Sequence, residues 1–200
     1  MSTATIAVTT PSGRTLDGLV PGLWTVDPSH SEVGFVARHL MVTKVRGRFS
    51  EYDAAITIAP NVLDSRVEAT VQLDSLETKD EKRDGHLKSA DFFDIENHPT
   101  MAFTSTGIRE NGKDFYLDGD LTIRGVTRPV TFDLEFNGVV AGPWGGHSAG
   151  FTAETEINRK DWGLNWNVAL ESGGVLVSEK VKIVLEIEAI APQPEAADQP

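Results

Sequence analysis

The chain has 200 residues, 40% of them apolar and 24% charged, with no cysteine. That composition suits one globular domain and excludes disulfides, thiolate metal sites and dithiol redox chemistry. Eighteen Lys and Arg against 30 Asp and Glu leave a net charge of −12, a field that opposes nucleic-acid backbones as partners.

Residues 1–21 carry Thr, Ser, Pro and Gly with a lone Arg14 and read as a flexible N-terminal segment. They hold no apolar run of signal-peptide length, and no later window approaches the roughly 18 apolar residues of a spanning helix. A cytoplasmic protein without stable membrane insertion is expected. From 22 to 190 the dominant signal is period-two alternation. It is weaker over 32–39, 46–58, 101–108, 115–123 and 149–157. It is clearest where Val130, Phe132, Leu134 and Phe136 alternate with Thr131, Asp133, Glu135 and Asn137. Val67, Ala69, Val71 and Leu73 repeat it, as do Val181, Ile183, Leu185 and Ile187, with Val184 an apolar exception on the outer side. These stretches predict about eight strands, with Gly, Asn, Asp or Pro at most joints.

Only residues 80–89 read as a helix, short and polar, with Asp80 placed to cap it. The adjoining Ala90, Phe92, Phe93 and Ile95 have the look of a lid or plug at a barrel mouth, and 191–200 reads as a disordered tail. One sheet of this size has a greasy face and two open edges, with too little helix to cover them. The expected fold is therefore all-β: a closed antiparallel barrel of about eight strands with one short helix near a mouth. A two-sheet sandwich is the alternative.

Catalytic motifs are weak. Gly146-His147-Ser148-Ala149-Gly150 matches a nucleophile elbow, but that motif needs a helix after the Ser and a later His, and the stretch from Gly150 to Asn158 alternates as a strand. The histidines His30, His39, His86, His98 and His147 show no metal-ligand spacing, so no metal and no catalytic residue is assigned. Asp91/Asp94 and Glu154/Glu156 are carboxylate pairs without an evident polar cleft, the latter on the outer face of a strand. Trp144, Trp162 and Trp166 sit in Gly- and Asn-rich segments, where tryptophan points to a barrel mouth or an interface.

Several spaced motifs together resemble the YceI-like family. They are Trp24 with Asp27-Pro28-Ser29-His30-Ser31, then Val33, Phe35 and His39; Val45-Arg46-Gly47-Arg48-Phe49; Arg83-Asp84-Gly85-His86-Leu87-Lys88-Ser89 leading to Asp91-Phe92-Phe93-Asp94; His98-Pro99; and Leu121-Thr122-Ile123-Arg124-Gly125-Val126-Thr127-Arg128-Pro129-Val130. The resemblance runs from about 23 to 190 and implies a lipocalin-like barrel that carries a polyisoprenoid, an isoprenoid quinone or a fatty-acyl compound. It implies no catalytic residues and no cofactor beyond that ligand.

On this reading Val33, Phe35, Ala37, Val67, Val71, Phe132 and Leu134 face the lumen. Arg38, Arg83, Trp162, Trp166 and Asn167 are candidates for the mouth or the ligand head group. Each ligand methylene buried gains about 0.8 kcal/mol, against roughly 0.5–1.5 for a neutral hydrogen bond, so chain burial should set affinity. The competing readings are a plugged barrel acting as a stress-related interaction module, and a hydrolase of lipid esters or pyrophosphates. A homodimer is left open.

Overall fold

The computed structural model describes residues 7–142, 145–171 and 174–192. In chain order these form β1 (Gly22–Val26), β2 (Glu32–His39), β3 (Thr43–Phe49), β4 (Tyr52–Ile58), β5 (Arg66–Gln72), β6 (Leu76–Glu77), α1 (Glu81–Lys88), β7 (Thr100–Asn111), β8 (Asp114–Ile123), β9 (Val126–Ala141), β10 (His147–Asn158) and β11 (Val177–Ile190). Every pairing among them is antiparallel.

The strands close into a ring, β1-β4-β5-β7-β8-β9-β10-β11, with the end of β11 returning to β1 through Thr25↔Ile190 and Val26↔Ala189. The earlier part of β11 pairs with β2, which pairs in turn with β3. Thus β1 with β2, and β3 with β4, are halves of two bent strands, and β6 continues the line of β5 along β3. The result is an eight-strand closed barrel rather than a sandwich, and closure removes the exposed sheet edges.

Both bends have local causes. At Asp27 to His30 the chain leaves the ladder where Pro28 lacks an N–H, and the Asp27 carboxylate accepts from Ser29 N and Oγ and from His30 Nδ1, at 2.8, 2.6 and 2.9 Å. At Ser50 and Glu51 the expected single stretch over 46–58 splits, and Glu51 N donates to Ser75 Oγ at 3.0 Å. Asp80 caps α1 by accepting from Arg83 N at 3.0 Å.

One end of the barrel is filled by the N-terminal segment, which differs from the flexible stretch expected there. Val8, Leu16 and Leu19 are buried against Ile58, Val62, Ile108, Phe115 and Leu117. Thr9 bridges to Asn61, and Leu16 N donates to Val8 O at 2.9 Å. Trp24, itself fully buried, anchors the turn through its indole N–H to Val20 O at 2.9 Å. Burial of three apolar side chains outweighs the ordering cost that the polar composition suggested would win. Residues 1–6 and 193–200, the latter most of the expected tail, lie outside the described residues.

Candidate functional site

Alternation points one side chain in two toward the barrel axis. Val33, Phe35 and Ala37 of β2, Val67 and Val71 of β5, Phe132 of β9 and five apolar residues of β11 line an apolar cavity of about 220 Å³. A second cavity of about 100 Å³ shares Ile56, Val67, Leu185 and Ile187 with the first. Leu134 lines this lower space with Phe136, and Leu16 and Leu19 of the N-terminal segment form its floor. The two spaces therefore lie end to end along the axis.

The other end is closed by a lid of aromatic residues. Leu87 of α1 and Phe92 and Phe93 just beyond it line the upper cavity. The Phe92 ring lies 5.3 Å from that of Trp166 and 5.2 Å from the His86 imidazole, which meets Trp166 edge-on at 4.4 Å. The tight β8–β9 turn, with Arg124 and Gly125 both left-handed, sends Arg124 Nη1 to Phe92 O at 3.0 Å and so ties the lid to the barrel rim. Trp162 is buried in the cavity wall, its indole N–H donating to Leu121 O at 3.0 Å. Trp144 lies outside the described residues.

The polar mouth candidates are placed otherwise. Arg83 is spent on Thr78, with Nε to Oγ1 and Nη2 to the carbonyl, both at 2.7 Å. Asn167 clamps the start of β11 through Nδ2 to Val177 O at 2.7 Å and Val177 N to Oδ1 at 3.1 Å. Arg38 lines a groove on the outer face of β2, as period two demands when Phe35 and Ala37 point inward. Among the described residues, the charged side chain that does reach the wall of the upper cavity is Arg159. It sits in a single helical turn at the end of β10 and is 4% exposed. A bulge in β11 between Val177 and Val181 frees the Ser178 carbonyl, which accepts from Arg159 Nε at 3.0 Å. Burial draws the Arg159 guanidinium below its usual pKa range.

Residues considered for other chemistry have structural occupations. Ser148 is the second residue of β10 and pairs with Val140 and Ile190, so no strand-turn-helix elbow forms there. Glu154 and Glu156 face outward and pair with Lys182 and Lys180, each at 2.6 Å. Asp27, His30 and Glu188 bring three metal-type donors together. Both Asp27 oxygens already accept hydrogen bonds within the β1–β2 bend. The Ser29 hydroxyl and His30 hold the Asp27 carboxyl at a pKa of about 2.

A closed antiparallel barrel with an apolar lumen, a floor and an aromatic lid defines a lipocalin-like barrel. The YceI-like domain matches residues 24–189, and the chain belongs to that family. A UPF0312 protein of Staphylococcus epidermidis is 42% identical over 164 residues, covering 81% of this chain and 94% of that one. A UPF0312 protein of Staphylococcus aureus is 40% identical over 167 residues, 82% and 95% of the two chains. Among solved structures, the Campylobacter jejuni YCEI protein superposes with a TM-score of 0.67 at 28% identity, over 78% of this chain and 90% of that one. A polyisoprenoid binding domain from Saccharophagus degradans shares the fold, with a TM-score of 0.61 at 16% identity over 84% and 98%. No helix among the described residues is long and apolar enough to cross a membrane.

Proposed function

We propose that the protein is a non-catalytic carrier or store for one long apolar chain, a polyisoprenoid, an isoprenoid quinone or a fatty-acyl compound, held along the barrel axis. The observation that carries this reading is the pair of apolar cavities end to end between the N-terminal floor and the aromatic lid. Ten methylenes transferred from water into such a lumen gain roughly 8 kcal/mol, enough for binding without a strong polar anchor. The polyisoprenoid binding domain of Saccharophagus degradans, with the same fold, supports it. The lumen ligand candidates are Val33, Phe35, Ala37, Val67, Val71, Phe132 and Leu134, with Trp162 in the wall and Trp166 behind the lid.

The reading keeps a cytoplasmic location and an apolar small molecule, not nucleic acid, as partner. Cell fractionation tests the first. The decisive experiment is mass spectrometry of an organic extract of the folded protein, purified from its host without detergent. One long-chain compound per protein chain is expected. Trace lipid only, in repeated preparations, would overturn the carrier in favour of a plugged interaction module.

A further inference from the structure

Among the described residues lining the upper cavity, Arg159 is the one charged side chain. Its guanidinium is held by neutral acceptors, with Nε on Ser178 O at 3.0 Å and Nη1 on Leu164 O. Nη2 is buried with no hydrogen-bond partner among the described residues. The guanidinium carbon lies 5.7 Å from the centre of the Phe92 ring, so the guanidinium group sits beside the lid. The nearby carboxylate of Glu179 is paired with Lys160 and does not bond the guanidinium.

A buried donor without an acceptor is costly, and a buried charge without a counter-charge more so. A ligand that brings both to Nη2 is favoured over one that brings neither. The other polar groups of the wall cannot help: the Tyr52 hydroxyl donates to Ser31 O at 3.1 Å and the Trp162 indole to Leu121 O at 3.0 Å. A phosphate would bury more oxygens and charge than one free guanidinium nitrogen can satisfy. A neutral carbonyl supplies an acceptor but leaves the charge unbalanced. A hydrocarbon supplies nothing.

We infer that Arg159 is a head-group site, and that the barrel takes long-chain carboxylates, with the acid group at Arg159 Nη2 beside Phe92 and the tail running toward Leu16 and Leu19. This rests on the carrier reading and narrows its ligand to an acidic class. A charge-assisted hydrogen bond in an apolar site corresponds to roughly tenfold or more in affinity.

The test titrates delipidated, full-length protein with four probes of equal chain length: hexadecanoate, its methyl ester, hexadecane and hexadecyl phosphate. Hexadecanoate is expected to bind at least about tenfold tighter than each of the others. Arg159→Gln should bring its affinity down to that of the ester, and Arg159→Lys should retain part of the preference. In case both variants fail to fold, carboxyl-labelled hexadecanoate in the wild type should show through-space contact with the Phe92 ring protons. Equal binding of acid, ester and hydrocarbon would overturn the head-group assignment while leaving the carrier reading intact. Tightest binding of the phosphate, or a carboxyl group far from Phe92, would also overturn it. If folded wild-type protein binds no probe, the carrier reading falls and the assignment with it.

Discussion

The Phe35 ring lies directly over Gly47, its cross-strand partner: a Cβ built on Gly47 would stand 2.3 Å from Phe35 Cζ. Gly47 is thus the recess into which an inward-pointing ring folds so that the lumen beside it stays open. Phe103 uses Gly119 in the same way, at 2.3 Å, but there a Cβ also meets the Thr104 carbonyl oxygen at 2.7 Å.

From this we expect Gly47→Ala to swing the Phe35 ring into the cavity. The cavity absorbs the ring, but the buried Thr78 methyl, 2.9 Å from the same Cβ, must also yield, so stability should fall by roughly 1–2 kcal/mol, in the lower part of the overpacking range, while bound lipid per chain drops. Phe35→Leu in the same chain should restore occupancy. Gly119→Ala meets backbone that cannot yield and should cost nearer 3 kcal/mol. Denaturant midpoints with lipid extraction check both. Full occupancy in Gly47→Ala would show that the ring does not bound the ligand space.

Alternation made most of the barrel legible in the sequence, because period two survives any tertiary context that buries one face. The cap at Asp80 and the aromatic cluster at Phe92 and Phe93 are local signals of the same kind. The floor was not legible: Val8, Leu16 and Leu19 follow neither a 2.0 nor a 3.6 period, and turns hold them in place. Arg159 was not legible either. In the run Asn158-Arg159-Lys160-Asp161 it looks like solvated charge, and its burial comes from Leu164, Ser178 and Phe92. Arg83 and Asn167 mislead for the converse reason, since polar side chains that look available are consumed by groups nearby in space, the Thr78 hydroxyl and carbonyl for Arg83 and the Val177 carbonyl for Asn167.

The β1–β2 bend carries a pH dependence. Hydrogen bonds from the Ser29 hydroxyl and His30 lower Asp27 from 3.8 to about 2, and the hydrogen bond to Asp27 raises His30 above 6.5. A lowered acid contributes fully above its ordinary value and loses that contribution as pH falls through about 2. A raised base contributes fully below its ordinary value and loses it as pH rises through its folded value. The bend is therefore most stabilising between 3.8 and 6.5. Urea midpoints of wild type and Asp27→Asn should differ most in that window, converge as pH falls toward 2, and narrow without vanishing as pH rises through the folded value of His30, because the Ser29 hydrogen bonds to the ionised Asp27 remain. A difference independent of pH would mean that the ionised pair is not what holds the bend.

Phe132 probes the upper lumen. It is buried, meets Phe103 edge-on at 5.5 Å and lines the upper cavity. Phe132→Leu keeps the wall apolar but enlarges the space, and such changes cost a few kcal/mol at most where neighbours relax. The extracted lipid profile should change in amount or chain length. Asp133→Asn, on the outer face, should leave it as it was. Identical profiles from the two folded variants would remove Phe132 from the ligand space.

Leu19 probes the other end. Its side chain is 2% exposed and closes the lower cavity, whereas Leu23, four residues on, is 57% exposed. Truncating a buried leucine forfeits its transfer free energy and leaves a cavity, about 2–5 kcal/mol together. Leu23→Ala should fall within about 0.5 kcal/mol of wild type. If the ligand tail reaches the floor, the space opened by Leu19→Ala lies at the tail's end. The bound population should then shift to longer chains, and the added ligand burial should offset part of the stability loss. Measuring the thermal midpoint before and after delipidation separates the two effects: the loss should be larger in the lipid-free protein. A Leu19→Ala protein that is destabilised equally with and without lipid, and that carries chains of unchanged length, would show that the tail stops above the constriction at Ile56, Val67, Leu185 and Ile187, leaving the N-terminal segment a structural plug alone.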